Sequence, residues 1–368
     1  MRWQRNVLVC GVLLLLVCVS VWGVFRLHPF GALWSVGAVP VAERMNLSDS
    51  AMVSPEEGWA VGVVAGQPNY VLLHYQHGQW RRELPFGEGT RELPELGVRL
   101  ASVAMTSASE GWAIGAGFLP TASPTPTTSG IEQNGTLGTV LLRYHQGWWS
   151  VFKQWATDPE FTRIAMHGPQ QGWLLGSNGA ETTLLRYDGD QWRPLALPQR
   201  IRTSAFHTLV PDGDKGIWLA GTTLAHYDGT VWRQTALPVN PSSPIVLFGL
   251  SMISPDEGWA VGSVSNSAQG VILHYQRGRL DMQSTASTPV LTNVTMRSAS
   301  SGWAVGARGA ILAYHHGIWT PVASPSGQAL QHVALAPHSD DAWAVGDTGT
   351  ILRYHEGQWT PSLIEEDG

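Results

Sequence analysis

Leu291-Thr292-Asn293-Val294-Thr295-Met296 alternates apolar and polar side chains, the pattern of a strand with one buried face. A small polar stretch, 298–302, reads as a turn, and Trp303-Ala304-Val305-Gly306 as a short buried strand. Residues 307–309 turn again. Ala310-Ile311-Leu312-Ala313-Tyr314 predicts a third strand, His315-His316-Gly317 a tight turn, and 318–322 a fourth strand. Four short antiparallel strands in about 45 residues make one propeller blade.

The unit recurs. A phrase of the form Gly-Trp-Ala-Val-Gly returns with its Trp at Trp59, Trp112, Trp173, Trp218, Trp259, Trp303 and Trp343. Each copy is followed by a Tyr: Tyr75, Tyr144, Tyr187, Tyr227, Tyr275, Tyr314 and Tyr354. Five residues beyond each Tyr stand Trp80, Trp149, Trp192, Trp232, Leu280, Trp319 and Trp359. The pattern predicts an all-β, seven-bladed β-propeller over 48–363, with blades near 48–84, 98–155, 161–197, 201–238, 245–284, 290–324 and 329–363. Helical periodicity is not evident in any unit, so a helical solenoid is not expected.

Recurring aromatics suit the gap between blades, where large flat side chains bury much apolar area. Each indole N–H is expected to find a backbone carbonyl there. The Gly three residues after each phrase Trp is expected at a close strand approach or a bulge. Such residues are occupied by packing, so function is sought in what does not recur. The Tyr-to-aromatic spacing across the third-to-fourth turn is constant. The second-to-third loops and the blade-to-blade links vary, and both lie on one rim, where binding residues usually sit. Two segments stand out: 119–135, rich in Pro, Thr and Ser and carrying Glu132, and the link 85–97 with Glu88, Arg91, Glu92 and Glu95. They are read as solvated insertions or as partner contacts.

Ahead of the repeats, 7–25 is a charge-free run rich in Leu and Val, long enough to span a bilayer as a helix. Arg2 and Arg5 precede it and Arg26 follows closely, which favours a cytoplasmic N-terminus and an extracytoplasmic propeller. The expectation is a single-pass signal anchor over 1–26 and a tether over 27–47; a cleaved signal peptide is the alternative. The chain ends in an acidic tail, 364–368. Net charge is −6 with no Lys/Arg block, so the footprint of nucleic-acid binding is missing. Both cysteines, Cys10 and Cys18, fall in the apolar run, so the repeats have neither disulfides nor thiolate metal sites.

Gly-x-Ile-Leu-x-Tyr-x-x-Gly-x-Trp, at 309–319 and 349–359, resembles a degenerate Asp-box, the hairpin motif of sialidase-type blades. Together with Gly-Trp-Ala-Val-Gly it is similar to the repeat of the photosystem II assembly factor family and related BNR-like propellers, over about 48–363. Only Asp188 and Asp228 keep an acidic residue after the blade Tyr; elsewhere the position holds Gln76, His145, Gln276, His315 or His355. The motif therefore reads as a turn and packing element. The resemblance implies a role in handling a membrane complex.

Catalysis is not expected. The arginines a sialidase-like site would need are few and scattered (Arg99, Arg163, Arg202, Arg297), and no opposed carboxylate pair is evident. No metal is expected either. His74, His226 and His274 recur in separate blades, and Asp212-Gly213-Asp214-Lys215-Gly216 aligns with turns of other blades. No cofactor motif is present. Asn46, Asn134 and Asn293 head glycosylation acceptor triplets, which matter only in a eukaryotic secretory route. The reading is a non-catalytic, membrane-anchored scaffold whose variable rim binds a protein, with a glycan as the other candidate partner. A carbohydrate-binding or sialidase-like propeller is the runner-up. For ring closure, Leu33-Trp34-Ser35-Val36 and Gln358-Trp359-Thr360-Pro361 both match an outer strand of the last blade, and the second is favoured.

Overall fold

Seven four-stranded antiparallel sheets follow one another along the chain, each in the order first, second, third, fourth strand. The computed structural model describes residues 45–365, apart from 67–68, 84–96, 121–134, 157, 239–242, 266 and 285–286. Strands β1 to β28 run from Met45 to Pro361. The first blade is β1 (Met45–Ser54), β2 (Glu57–Val64), β3 (Tyr70–Gln76) and β4 (Gln79–Arg82). The first strands of the other six blades are β5 (Gly97–Ser107), β9 (Glu160–Gly168), β13 (Phe206–Asp212), β17 (Ile245–Ser254), β21 (Leu291–Ser298) and β25 (Leu330–Leu335). These inner strands touch in cyclic order, and β25 returns to β1. The ring expected from the repeat is therefore closed. The single α-helical turn among the described residues, α1 (Gln199–Arg202), lies in the link between the third and fourth blades.

The recurring residues set this geometry. All seven phrase Trp are buried, as are five of the seven Tyr, with Tyr227 and Tyr354 partly covered. In each blade the Tyr pairs across the hairpin with the aromatic or Leu five residues on, as in Tyr75 with Trp80. The phrase Trp of one blade then meets the Tyr and outer Trp of the next. Trp59 lies 4.8 Å from Tyr144 and edge-on to Trp149 at 5.4 Å. Trp303 repeats this against Tyr354 and Trp359, and Trp343 closes the circle on Tyr75 at 5.4 Å.

One expectation fails here. The indole N–H groups of Trp59, Trp173, Trp218, Trp259 and Trp343 are buried without an oxygen acceptor. Edge-to-face aromatic packing fills the space where a carbonyl was expected, and the ring quadrupole favours that arrangement.

On its other face, the phrase Trp of five blades carries the side chain paired with it on the third strand. His74, His226 and His274 stack on Trp59, Trp218 and Trp259, with centroids 3.8, 3.9 and 4.3 Å apart. Arg143 and Arg353 take the same place over Trp112 and Trp343. A carboxylate near the first turn steadies the outer group: Glu57 for His74, Asp212 for His226 at 2.6 Å, Asp341 for Arg353 at 2.7 Å. The histidines that recur before the blade Tyr are thus platforms in separate blades, and among the described residues no His/Cys/Asp/Glu group is arranged to hold a metal ion.

The hairpins between third and fourth strands come in two kinds. Five turn through two left-handed residues, such as His77 and Gly78 (φ 53° and 84°), the geometry that suits strand twist. In the other two, Asp188 and Asp228 fold back over the turn. Asp228 Oδ1 accepts from Thr230 N, Thr230 Oγ1 and Val231 N at 2.7–2.9 Å. The Thr230 hydroxyl, with these amides and Arg233, holds its carboxyl well below the usual range.

The last blade ends with β28 (Gln358–Pro361) on β27 (Ile351–His355), so the C-terminal candidate fills the outer position. Residues 33–36 lie outside the described residues, as do the predicted span at 7–25 and the tether up to 44. Among the described residues no helix is long and apolar enough to cross a membrane.

Candidate functional site: the channel mouth

The Gly that closes each phrase faces the inner strand of its own blade. A Cβ on Gly262 would sit 1.9 Å from Val246 O, and the corresponding Gly in every blade meets a carbonyl in the inner strand or one residue before it at 2.6 Å or less. Opposite it, the inner-strand register slips by one residue in all seven blades. Such a bulge re-aims the extra side chain. The seven extra residues are Ser48, Ala101, Thr162, His207, Phe248, Thr292 and Gln331. All but Thr162 line one cavity of about 480 Å³ at the end of the channel, together with Asn46, Arg163 and Asp347.

Asn46 lies near the start of β1, and Asp347 lies in the second-to-third loop of the last blade. The mouth therefore opens on the rim that carries the variable loops. β6 (Glu110–Pro120) ends and β7 (Gly135–His145) begins at this same end, with 121–134 between them in the sequence, as 84–96 lies between β4 and β5. The candidate partner residues Glu88, Arg91, Glu92, Glu95 and Glu132 all lie outside the described residues.

One residue deeper, the blades present Asp49, Ser102, Arg163, Thr208, Gly249, Asn293 and His332. Six of them line a second cavity of about 240 Å³. No residue type repeats around this level, in contrast to the Trp and Tyr levels. Asp49 ties three blades together. Its Oδ1 accepts from Ser50 N at 2.8 Å and faces His332 Nδ1 at 3.2 Å; its Oδ2 accepts from Ser102 Oγ at 2.7 Å and Val103 N at 3.1 Å. Asn293 Oδ1 accepts from Val333 N, so this acceptor asparagine is committed to the channel wall.

Desolvation pushes the imidazoles of His332 and His207 below their ordinary value, and the Arg163 charge adds to both shifts. For His332 the Asp49 carboxylate pulls the other way. Arg163 belongs to the third blade and His332 to the seventh, so its charge is felt across the lumen. Its guanidinium donates to Thr162 O at 2.9 Å, and no carboxylate pairs with it among the described residues. The wall thus offers one cation, neutral donors, an aromatic at Phe248 and, at the mouth, the Asp347 carboxylate, which accepts from Gln331 Nε2 at 3.1 Å. Its one deep carboxylate has both oxygens already bonded.

No periodicity in the sequence marks this set, and Arg163 stands there among scattered arginines. The usable signal was the phrase Gly, which marks the bulge and hence the register of the first strand in every blade.

Fold and site together define a seven-bladed β-propeller with a polar, non-repeating channel mouth. No family model and no curated relative matches the chain. Among solved structures it is similar to YCF48 from Cyanidioschyzon merolae, with a TM-score of 0.63 and 16% identity, covering 87% of this chain and 98% of that one. YCF48 bound to a D1 peptide matches with a TM-score of 0.60 and 16% identity over 85% and 94% of the two chains. The WD40 propeller domain of Doa1 follows, with a TM-score of 0.55 and 11% identity over 85% and 94%. At these identities the likeness is one of fold. It agrees with the resemblance to photosystem II assembly factor propellers drawn from the repeat.

Proposed function

We propose that this protein is a non-catalytic binding module that receives a segment of a protein partner at the channel mouth, in the handling of a membrane complex. One observation carries the reading: the recurring Gly of each blade stands at a bulge, and six of the seven bulges deliver six different side chains to one opening. The YCF48 structure that holds a D1 peptide supports a peptide as the kind of ligand such a propeller takes. Hydrolysis of a glycoside would need two carboxylates facing across the bond; here Asp49 is spent on the wall and Asp347 accepts from Gln331. The charge-free run at 7–25 supports attachment to a membrane, with the propeller on the extracytoplasmic side.

Affinity capture from the native membrane tests this. The Arg163→Gln, Phe248→Ala double variant is expected to lose at least about 1.4 kcal/mol of affinity, a tenfold drop, for a partner that the parent retains. Retention of the same partner at parental yield would end the proposal. Deleting 121–134 in parallel shows whether that loop contributes. Alkaline extraction of a chain lacking 7–25 reads the anchor separately.

A further inference from the structure

Six of the seven blade-to-blade seams are crossed by the chain itself. Among the described residues, no link from a fourth strand to a following first strand joins the last blade to the first, so this seam is held by packing and by whatever the chain end adds. We propose that the last described residues, Ile364 and Glu365, form a latch that fastens this seam, and that the ring opens there first.

The contacts run from outside to inside. Beyond β28 the chain crosses to the first blade and pairs in parallel with its outer strand, Ile364 beside Trp80. Glu365 N donates to Trp80 O at 2.8 Å, and Arg81 donates to the Glu365 carboxylate. This is strand addition in cis. Among the described residues, β4 is the outer strand that gains a further segment. The Ile364 side chain packs on a core cluster that draws Tyr75 and Trp80 from the first blade and Trp343, Val345 and Ile351 from the last. The expected acidic tail therefore begins with an apolar anchor.

Midway through the seam, Arg353 donates to Tyr75 Oη at 3.0 Å while lying over the Trp343 ring. Inside, Thr348 N donates to Asn46 Oδ1 at 3.2 Å, and His332 meets Asp49 and Ser50, each at 3.2 Å. These inner contacts are polar and open to the channel, so they are weaker fasteners than a buried aromatic seam. The latch adds backbone hydrogen bonding and apolar cover at the largest radius, where a parting ring would separate most. It stands whether or not the mouth binds a partner.

Hydrogen exchange on the full chain tests the latch, comparing a deletion of 364–368 with a deletion of 366–368. Removing the latch is expected to speed exchange about tenfold in β1–β4 and β25–β28, with the blades from β13 to β20 unchanged. The shorter deletion is expected to behave as the parent. Equal acceleration in all blades, or none in the first and last, would overturn the proposal. Should the longer deletion not fold, Ile364→Ser is read by the same criterion.

Discussion

Asp49 shows most plainly what a single side chain does here. Its carboxylate takes partners from the first, second and last blades, so its loss strands several donors at once. Asp49→Ala is expected to cost about 3 kcal/mol by chemical denaturation, because unsatisfied buried groups cost about 1–3 kcal/mol each. Asp49→Asn, keeping an acceptor, is expected to lose less. The blade tyrosines make a second residue-scale prediction. Burial raises Tyr75, Tyr144, Tyr187, Tyr275 and Tyr314 above the ordinary phenol value. The folded state favours their neutral form, so this stability is complete below about pH 10 and is lost as pH rises through the raised values. The denaturation midpoint should hold from about pH 8 to 9.5 and fall above pH 10, with phenolate absorbance appearing late and together with unfolding. Phenolate signal near pH 10 from these five in a fully folded chain, read with Tyr227 and Tyr354 replaced by Phe, would contradict it. The Trp and Tyr were legible in the sequence because one environment is copied in every blade. The mouth residues were not, because six different side chains at the equivalent position leave no repeat to see.

Among elements, the bulged inner strand carries the most consequence. Gly262 admits Val246 O at a distance no Cβ allows, and the slip places Phe248 at the mouth. Gly262→Ala is expected to destabilise the fifth blade by about 2–3 kcal/mol through backbone displacement, and to alter exchange in β17 before neighbouring blades. A Gly357→Ala change is the contrast. That turn glycine (φ 86°) has open space around its Cβ, so its cost is left-handed strain alone, about 1 kcal/mol. Equal costs for the two would remove the close-approach argument. The four strands of the sixth blade were readable from alternation and turn residues. The bulges were less so, since a one-residue slip leaves the apolar pattern on either side intact. The aspartate-capped hairpins at Asp188 and Asp228 were visible as departures from the other five, and the structure supplies the hydrogen bonds that explain them.

At the level of the whole molecule, the repeat specifies a ring and leaves its two ends to settle how it shuts. Both Leu33-Trp34-Ser35-Val36 and Gln358-Trp359-Thr360-Pro361 fitted the outer strand of the last blade by pattern, and pattern has no means to choose between them. Packing chose the second, and then drew Ile364 onto the first blade. The central claim concerns the two faces: the hairpin turns are structural, and the channel mouth receives the partner. A photo-crosslinking side chain placed in turn at Phe248, at Gln331 and, on the opposite face, at His316 tests this most directly in the native membrane. The same partner band is expected from positions 248 and 331 and none from 316. A partner that crosslinks at 316 and at neither mouth position would contradict it.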